Sequence, residues 1–272
     1  MTTLVSACES SRKEPGGGAA VIAGTSGPNV LLPPFIRTTI EREVTELVFD
    51  YLAEVGPSLN TLDDKTFGIR LARSWHWAND SMSLAVDLQP QARWHDGVRV
   101  SADDVVYSFL IYTSKQIASP IAEQLARIDS VTARDSLTAV FWFNKRYPLQ
   151  FYDAMSQMQI IPKHVLEKIP LDSLRDRASS VRVVGTGRYR FVSWKHGESV
   201  ELAADSTNYR GSPGINRLIF KVFQSAGVAV RALLAGEADI YDGLRPDDLN
   251  EIERHPDVNV MKMSESGLSR AS

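Results

Sequence analysis

Two spacings of apolar residues alternate along this chain. Residues 84–88 read Leu-Ala-Val-Asp-Leu, with Leu84, Val86 and Leu88 at every second position. That alternation predicts a half-buried strand, closed by the breaker Pro90. Trp94-His95-Asp96-Gly97 follows, and its Asp-Gly pair predicts a tight reversal because glycine accepts φ > 0. Ser101 then opens a helix. Ser101-Ala102-Asp103-Asp104 places a capping hydroxyl and two acids at the positive end of the helix dipole, and Val105, Val106, Phe109 and Leu110 recur at helical spacing. Residues 84–109 therefore read as strand, turn and helix, with Trp94 and Val105 buried where strand and helix meet.

The same reading extends in both directions. Residues 19–23 form a short apolar strand candidate, and residues 41–52 carry Val44, Leu47, Val48 and Leu52 on one helical face. Residues 131–143 read as a hairpin turning at Arg134-Asp135-Ser136, with Phe141, Trp142 and Phe143 expected in the core. Helices are predicted over 151–158 and from Pro162 to 169, since proline fits a first helical turn; residues 173–180 read as a polar connection. A second hairpin spans 188–202 around Lys195-His196-Gly197-Glu198, with Tyr189, Phe191 and Ser193 on one face. The last third alternates: a strand at 218–222, a helix at 226–235 capped by Ser225 and ended by Gly236, a strand at 238–241 and a helix at 246–254. Such alternation is that of an α/β layer.

With 272 residues, 43% of them hydrophobic, the chain can bury a large core. Its net charge of −3 provides no basic field, which excludes nucleic acid as an expected partner. A single cysteine rules out an internal disulfide, and no apolar run reaches the ~18 residues of a spanning helix. Catalytic signatures are missing: there is no G-x-S-x-G, H-E-x-x-H, Walker A lysine loop or C-x-x-C. Gly185-Thr186-Gly187 lacks the third glycine of a dinucleotide fingerprint and reads as a place where two backbones pack closely. His95-Asp96 is the sole adjacent imidazole–acid pair, and without a second histidine at ligand spacing it reads as part of a turn. No enzyme activity, cofactor or metal is expected.

Trp94, His95, Asp96, Gly97, Ala102, Asp104, Val105, Tyr107 and Ser108 fall in the order and spacing of a longer pattern, the "hDG-plta-DV-yS" segment of the family 5 extracellular solute-binding proteins. The chain resembles these receptors of bacterial ABC importers over residues 29–260. Leu71-Ala72-Arg73-Ser74-Trp75 stands where the family has "LA-sw", and Ile161-Pro162-Lys163-His164 matches "iPkH". Gly185-Thr186-Gly187-Arg188-Tyr189 matches "GTGPY" with Arg188 in place of proline; Asn208-Tyr209 and residues 235–240 match "n-Yw" and "sGevDi". The resemblance implies an α/β, periplasmic-binding-protein-like clamshell of class II. Residues 19–37 and 183–265 would form its first lobe and 38–182 an inserted α+β subdomain, with the second lobe missing and 266–272 unmatched. Without that lobe, tight peptide binding is not expected.

The implied function is that of a substrate-binding subunit of a peptide ABC importer, partnered by a peptide or other small solute and by the permease subunits. Receptors of the same fold for nickel, opines or oligosaccharides are the alternative, and a ligand-sensing module of a regulator the second. For the cleft wall the resemblance singles out Asn29, Val30, Leu31 and Leu32, and Val184, Gly185, Thr186 and Gly187, which lie at lobe crossings in the family pattern. Val5-Ser6-Ala7-Cys8 has the form of a lipobox, and residues 9–18 that of a flexible tether. Lipidation of Cys8 would anchor the protein at the periplasmic or extracellular face, its only expected tie to a membrane. Seven residues before Cys8 are fewer than a signal peptide needs, so either the true start lies upstream or the motif is an accident, and the tether behind it favours the first.

Overall fold

The computed structural model describes residues 17–245, 248, 249, 252, 253 and 255–261. In chain order its elements are β1 (Ala19–Gly24), α1 (Thr39–Val48), β2 (Ala53–Val55), β3 (Phe67–Ile69), β4 (Ala72–Trp77), β5 (Ser83–Leu88), α2 (Ala102–Thr113), α3 (Ala122–Leu125), β6 (Ile128–Ala133), β7 (Thr138–Phe143), α4 (Gln150–Ser156), α5 (Lys163–Leu166), α6 (Leu171–Arg177), β8 (Tyr189–Lys195), β9 (Ser199–Ala204), β10 (Arg217–Val222), α7 (Ala226–Leu234) and β11 (Ile240–Tyr241). They make a five-stranded sheet in the order β11-β1-β10-β9-β8, a four-stranded antiparallel sheet in the order β4-β5-β7-β6, and a β2-β3 hairpin. The expected α/β class is the observed one.

β1 is apolar throughout because both of its faces are covered, as in parallel sheets generally. Ala20 and Ile22 pack with Val44 and Val48 of α1, whereas Val21 and Ala23 pack with Ala229 and Val230 of α7. β10 and β11 pair with β1 in parallel, Val21 opposite Ile219 and Ile22 opposite Ile240. β9 and β8 continue the sheet in antiparallel fashion. On the second sheet Leu84, Val86, Leu88 and Phe141 join Val105, Phe109 and Met155 in one core. Trp94 and Val105 are fully buried there, as the sequence predicts. Asp104 closes the capping box of α2, its carboxylate accepting from the Ser101 N–H at 2.9 Å and the Trp94 indole N–H at 3.3 Å.

Several expectations are corrected. α1 ends at Val48, where Phe49 turns extended so that the chain can cross from one sheet to the other. The helices expected over 151–158 and 162–169 are one to two turns, α4 and α5. Residues expected to be connective contain α6; Leu171, Leu174 and Ala178 have the i, i+3, i+7 spacing that foretells it, and Leu174 is fully buried. Trp142 lies outside the core, 44% exposed, because Phe141 and Phe143 take the inward positions of β7; its indole donates to Thr132 Oγ1 at 2.9 Å. In β8 the register shifts between Phe191 and Ser193, so Trp194, opposite Val200, replaces Ser193 on the face of Tyr189 and Phe191. Of the helix expected at 246–254, Asp248, Leu249 and Ile252 are helical and Glu253 is a turn, and the rest lies outside the described residues, as do Cys8, residues 9–16 of the tether and 266–272. No described helix is long and apolar enough to cross a membrane.

Candidate functional site

The two sheets meet where residues 183–188 cross behind the end of α1, and glycine makes that crossing possible. A Cβ on Gly185 would stand 1.8 Å from the Val48 carbonyl oxygen, and one on Gly187 would stand 2.2 Å from that of Leu47. With hydrogen in its place, the Gly187 N–H donates to Val48 O at 2.8 Å. Thr186 is fully buried and donates from Oγ1 to Asp50 Oδ2 at 3.1 Å. The same carboxylate accepts from the Tyr209 hydroxyl at 3.0 Å and from Arg210 Nη2 at 2.6 Å, and Arg70 Nη1 lies at 3.5 Å. Burial pushes the Asp50 carboxyl up, against the pull of Arg210 and Arg70. Asn208 Nδ2 donates to the Thr186 and Gly187 carbonyls, both at 2.9 Å. Thr186 and Gly187 thus engage polar groups within the protein itself.

Asn29, Val30, Leu31 and Leu32 occupy the other predicted segment. Asn29 is exposed, and its N–H donates to Glu41 Oε1 at 3.0 Å; Val30 is half-buried. Leu31 and Leu32 are buried and meet Val184 along one seam with Phe49, Leu166 and Val183. The two predicted segments do come together there. The gap between them, about 10 Å³, is the size of one water and is a packing seam.

Sequence reasoning missed the edge of the five-stranded sheet at the carboxyl ends of β1, β10 and β11. In open α/β sheets ligands meet the sheet at that edge. Here it consists of the loop after β1, with Thr25 and Ser26 exposed, the β10–α7 junction with Gln224 and Ser225 exposed, and Asp242 and Gly243 after β11. The β8–β9 tip closes it on one side, where Trp194 and His196 stack with ring centroids 3.9 Å apart. Gly27 approaches Val222 and Gly197, so the loop after β1 reaches that tip. Burial, and then the neighbouring Asp242 carboxylate, push the Glu43 carboxyl of α1 up to about 7. Each strand end is legible in the sequence, but which ends align depends on parallel pairing. Among the described residues no three His, Cys, Asp or Glu side chains converge to hold a metal.

A five-stranded sheet whose parallel strands end on an open edge, joined by a tight polar crossing to a second sheet, is an α/β fold of the periplasmic-binding-protein-like class. The chain belongs to the bacterial extracellular solute-binding proteins of family 5, whose "family 5 Middle" model matches residues 66–271. It is 23% identical over 238 residues to the oligopeptide-binding protein AppA of Bacillus subtilis, covering 87% of this chain and 43% of that protein. A putative ABC transporter peptide-binding protein of Brucella ovis is 30% identical over 192 residues, 70% of this chain and 36% of its own. The AppA structure in complex with a nonapeptide superposes with a TM-score of 0.81 at 21% identity, covering 90% of this chain and 47% of AppA. NikZ of Campylobacter jejuni in complex with Ni(L-His) gives 0.74 at 28%, covering 88% and 45%. The chain spans less than half the length of these relatives.

Proposed function

We propose that the protein is the substrate-binding subunit of a peptide-type ABC importer and that the carboxyl edge of β1, β10 and β11 is one wall of its cleft. The observation that carries the reading is the contrast between the two surfaces. The crossing engages its polar groups internally, whereas the strand-end loops present exposed Thr25, Ser26, Gln224, Ser225 and Asp242. A few main-chain, hydroxyl and amide groups of this kind can fix a peptide backbone whatever its side chains. In this reading Asn29 and Val30 extend the wall, while Leu31, Leu32 and Val184 to Gly187 support it from behind. Residues 19–37 and 183–265 are then the lobe, whose described part supplies every strand of the five-stranded sheet, and 38–182 the insert, although α1 of that span packs on β1. ABC permease subunits are the proposed protein partners, on the extracytoplasmic face of the membrane.

Amide resonances of the 272-residue chain during titration with a tri- to pentapeptide pool test the wall. Residues 24–28, 196–198, 223–225 and 242–243 should shift while β5 does not. NikZ, whose structure contains Ni(L-His), supports a second reading as a metal-complex receptor. Shifts with Ni(L-His) and none with peptides would favour it, and no shift at the edge with either would overturn the assignment. We also propose Cys8 as a lipid anchor: Cys8→Ser, in a form that carries a signal peptide, should move the protein from the membrane to the soluble fraction. Unchanged partition would refute the anchor.

A further inference from the structure

His95 stands at the tip of the reversal that the four-stranded unit sends into the crossing. Residues 93–99 fold back on themselves, the Trp94 N–H donating to Val98 O at 2.8 Å, with Gly97 at φ +90°. The imidazole is engaged on both nitrogens. Nδ1 accepts from the Gly185 N–H at 3.2 Å, and Nε2 lies 2.9 Å from the Gly187 carbonyl oxygen. Because Nδ1 accepts, the ring proton is on Nε2 and is donated to Gly187, so one neutral tautomer satisfies both partners. The His95 N–H also donates to Gly185 O at 2.8 Å. One residue thus makes three bonds to a three-residue segment, and that segment is pressed on its far side against the Leu47 and Val48 carbonyls.

We propose that His95 is a proton-operated latch between the four-stranded unit and the five-stranded sheet: neutral, it clamps residues 185–187, and protonated, it releases them. A protonated ring carries N–H groups at both positions, so Nδ1 would set a donor against the Gly185 donor. Of the charges around it, Asp205 and Asp96 favour the protonated ring and Arg190 opposes them, but both carboxylates are engaged elsewhere. From β8, Arg190 Nη1 donates to His95 O at 3.2 Å and its Nη2 to Asp205 Oδ1 at 2.8 Å, so Asp205 already has a cation. Asp96 is held by His164 of α5 at 2.9 Å, with Arg182 at 3.9 Å. Arg188 turns away to the Gly211 and Ser212 carbonyls, and Asp50 lies behind Thr186 with its own arginines. Burial pushes the His95 imidazole down, and the Gly187 carbonyl opposes this.

Releasing the latch would free the two units to move against each other while each sheet stays folded. Hydrogen exchange of the 272-residue chain, corrected for intrinsic rates, reads this out. In the wild type the Gly185 amide should exchange at least tenfold faster at pH 5.0 than at pH 7.5, with central β5 and β7 amides unchanged. His95→Gln offers the same acceptor and donor without a titrating proton, so its ratio should stay within twofold. His164→Gln, which removes the neighbouring titratable ring, should keep the wild-type response. The latch is overturned by an unchanged wild-type ratio, by equal acceleration in His95→Gln, by loss of the response in His164→Gln, or by acceleration shared with β5 and β7. Imidazole nitrogen shifts of the wild type give a check that needs no variant: His95 titrating at or above ~6.5, the ordinary histidine value, also overturns it.

Discussion

Gly185 and Gly187 are the positions at which one methyl group would decide whether the sheets can meet. The carbon of Gly185→Ala would overlap the Val48 carbonyl, and a backbone oxygen cannot rotate away as a side-chain end can. The cost should exceed the ~1–3 kcal/mol of ordinary overpacking, read as a loss of soluble folded protein or a large drop in the urea midpoint. Gly97, with open space around its α-carbon, tests the other reason for glycine: Gly97→Ala meets nothing but sits at φ +90°, so it should cost far less than Gly185→Ala. Asp50 is the second decisive residue. Asp50→Ala leaves Arg210 without its anion while Arg70 keeps Glu54, and since each arginine keeps 20–24% of its side chain in water, the loss should fall at the low end of the range for broken buried pairs, about 3 kcal/mol. An unchanged urea midpoint would show that the network contributes nothing to stability.

At the scale of elements, the β5–α2 pair is the part that local rules specify best. Leu84, Val86 and Leu88 alternate as a strand requires, and Asp104 both caps its helix and accepts from the Trp94 indole. Propensity, pattern and capping agree there, and such agreement is what lets a sequence specify an element. Val105→Asp places an unpaired charge at a position with no solvent exposure and should cost several kcal/mol. Circular dichroism and protease resistance check it: soluble, resistant protein with an unchanged spectrum would refute the burial argument. β8 behaves differently. Its bulge turns Trp194 inward and leaves Val192 50% exposed, and a strict period of two cannot foresee an inserted residue.

Over the whole molecule, two groups should shape stability against pH in opposite directions. His95 has its folded value lowered, so the unfolded chain binds more protons below ~6.5 and stability falls as pH drops through that window. Glu43 has its folded value raised from 4.5 to about 7, so the folded chain holds more protons in that interval and stability falls as pH rises through it. Thermal midpoints from pH 5 to 8 should respond accordingly. Glu43→Gln should raise the midpoint at pH 8 relative to the wild type and change it little at pH 5, and His95→Gln should flatten the acid side. If Glu43→Gln shifts both ends equally, burial beside Asp242 is not what holds that proton.

What the sequence alone determined is local. The alternation at 84–88, the capping box at Ser101, the Asp-Gly reversal and the helix between Ser225 and Gly236 are each written in residues close together in the chain, and each is found where the pattern puts it. The close packing of Gly185-Thr186-Gly187 was also legible, since paired glycines with no fingerprint around them imply approaching backbones. The tertiary structure decided which backbone approaches: the end of α1, some 140 residues earlier in the chain, whose carbonyls no local pattern could point to. It also decided that β1, β10 and β11 lie parallel, so that their carboxyl ends share one edge although they are drawn from opposite ends of the chain. Period-two alternation fixes which side chains face a core. It carries no information on strand direction or neighbour, because those depend on long-range hydrogen bonds and on the helices that cover each face.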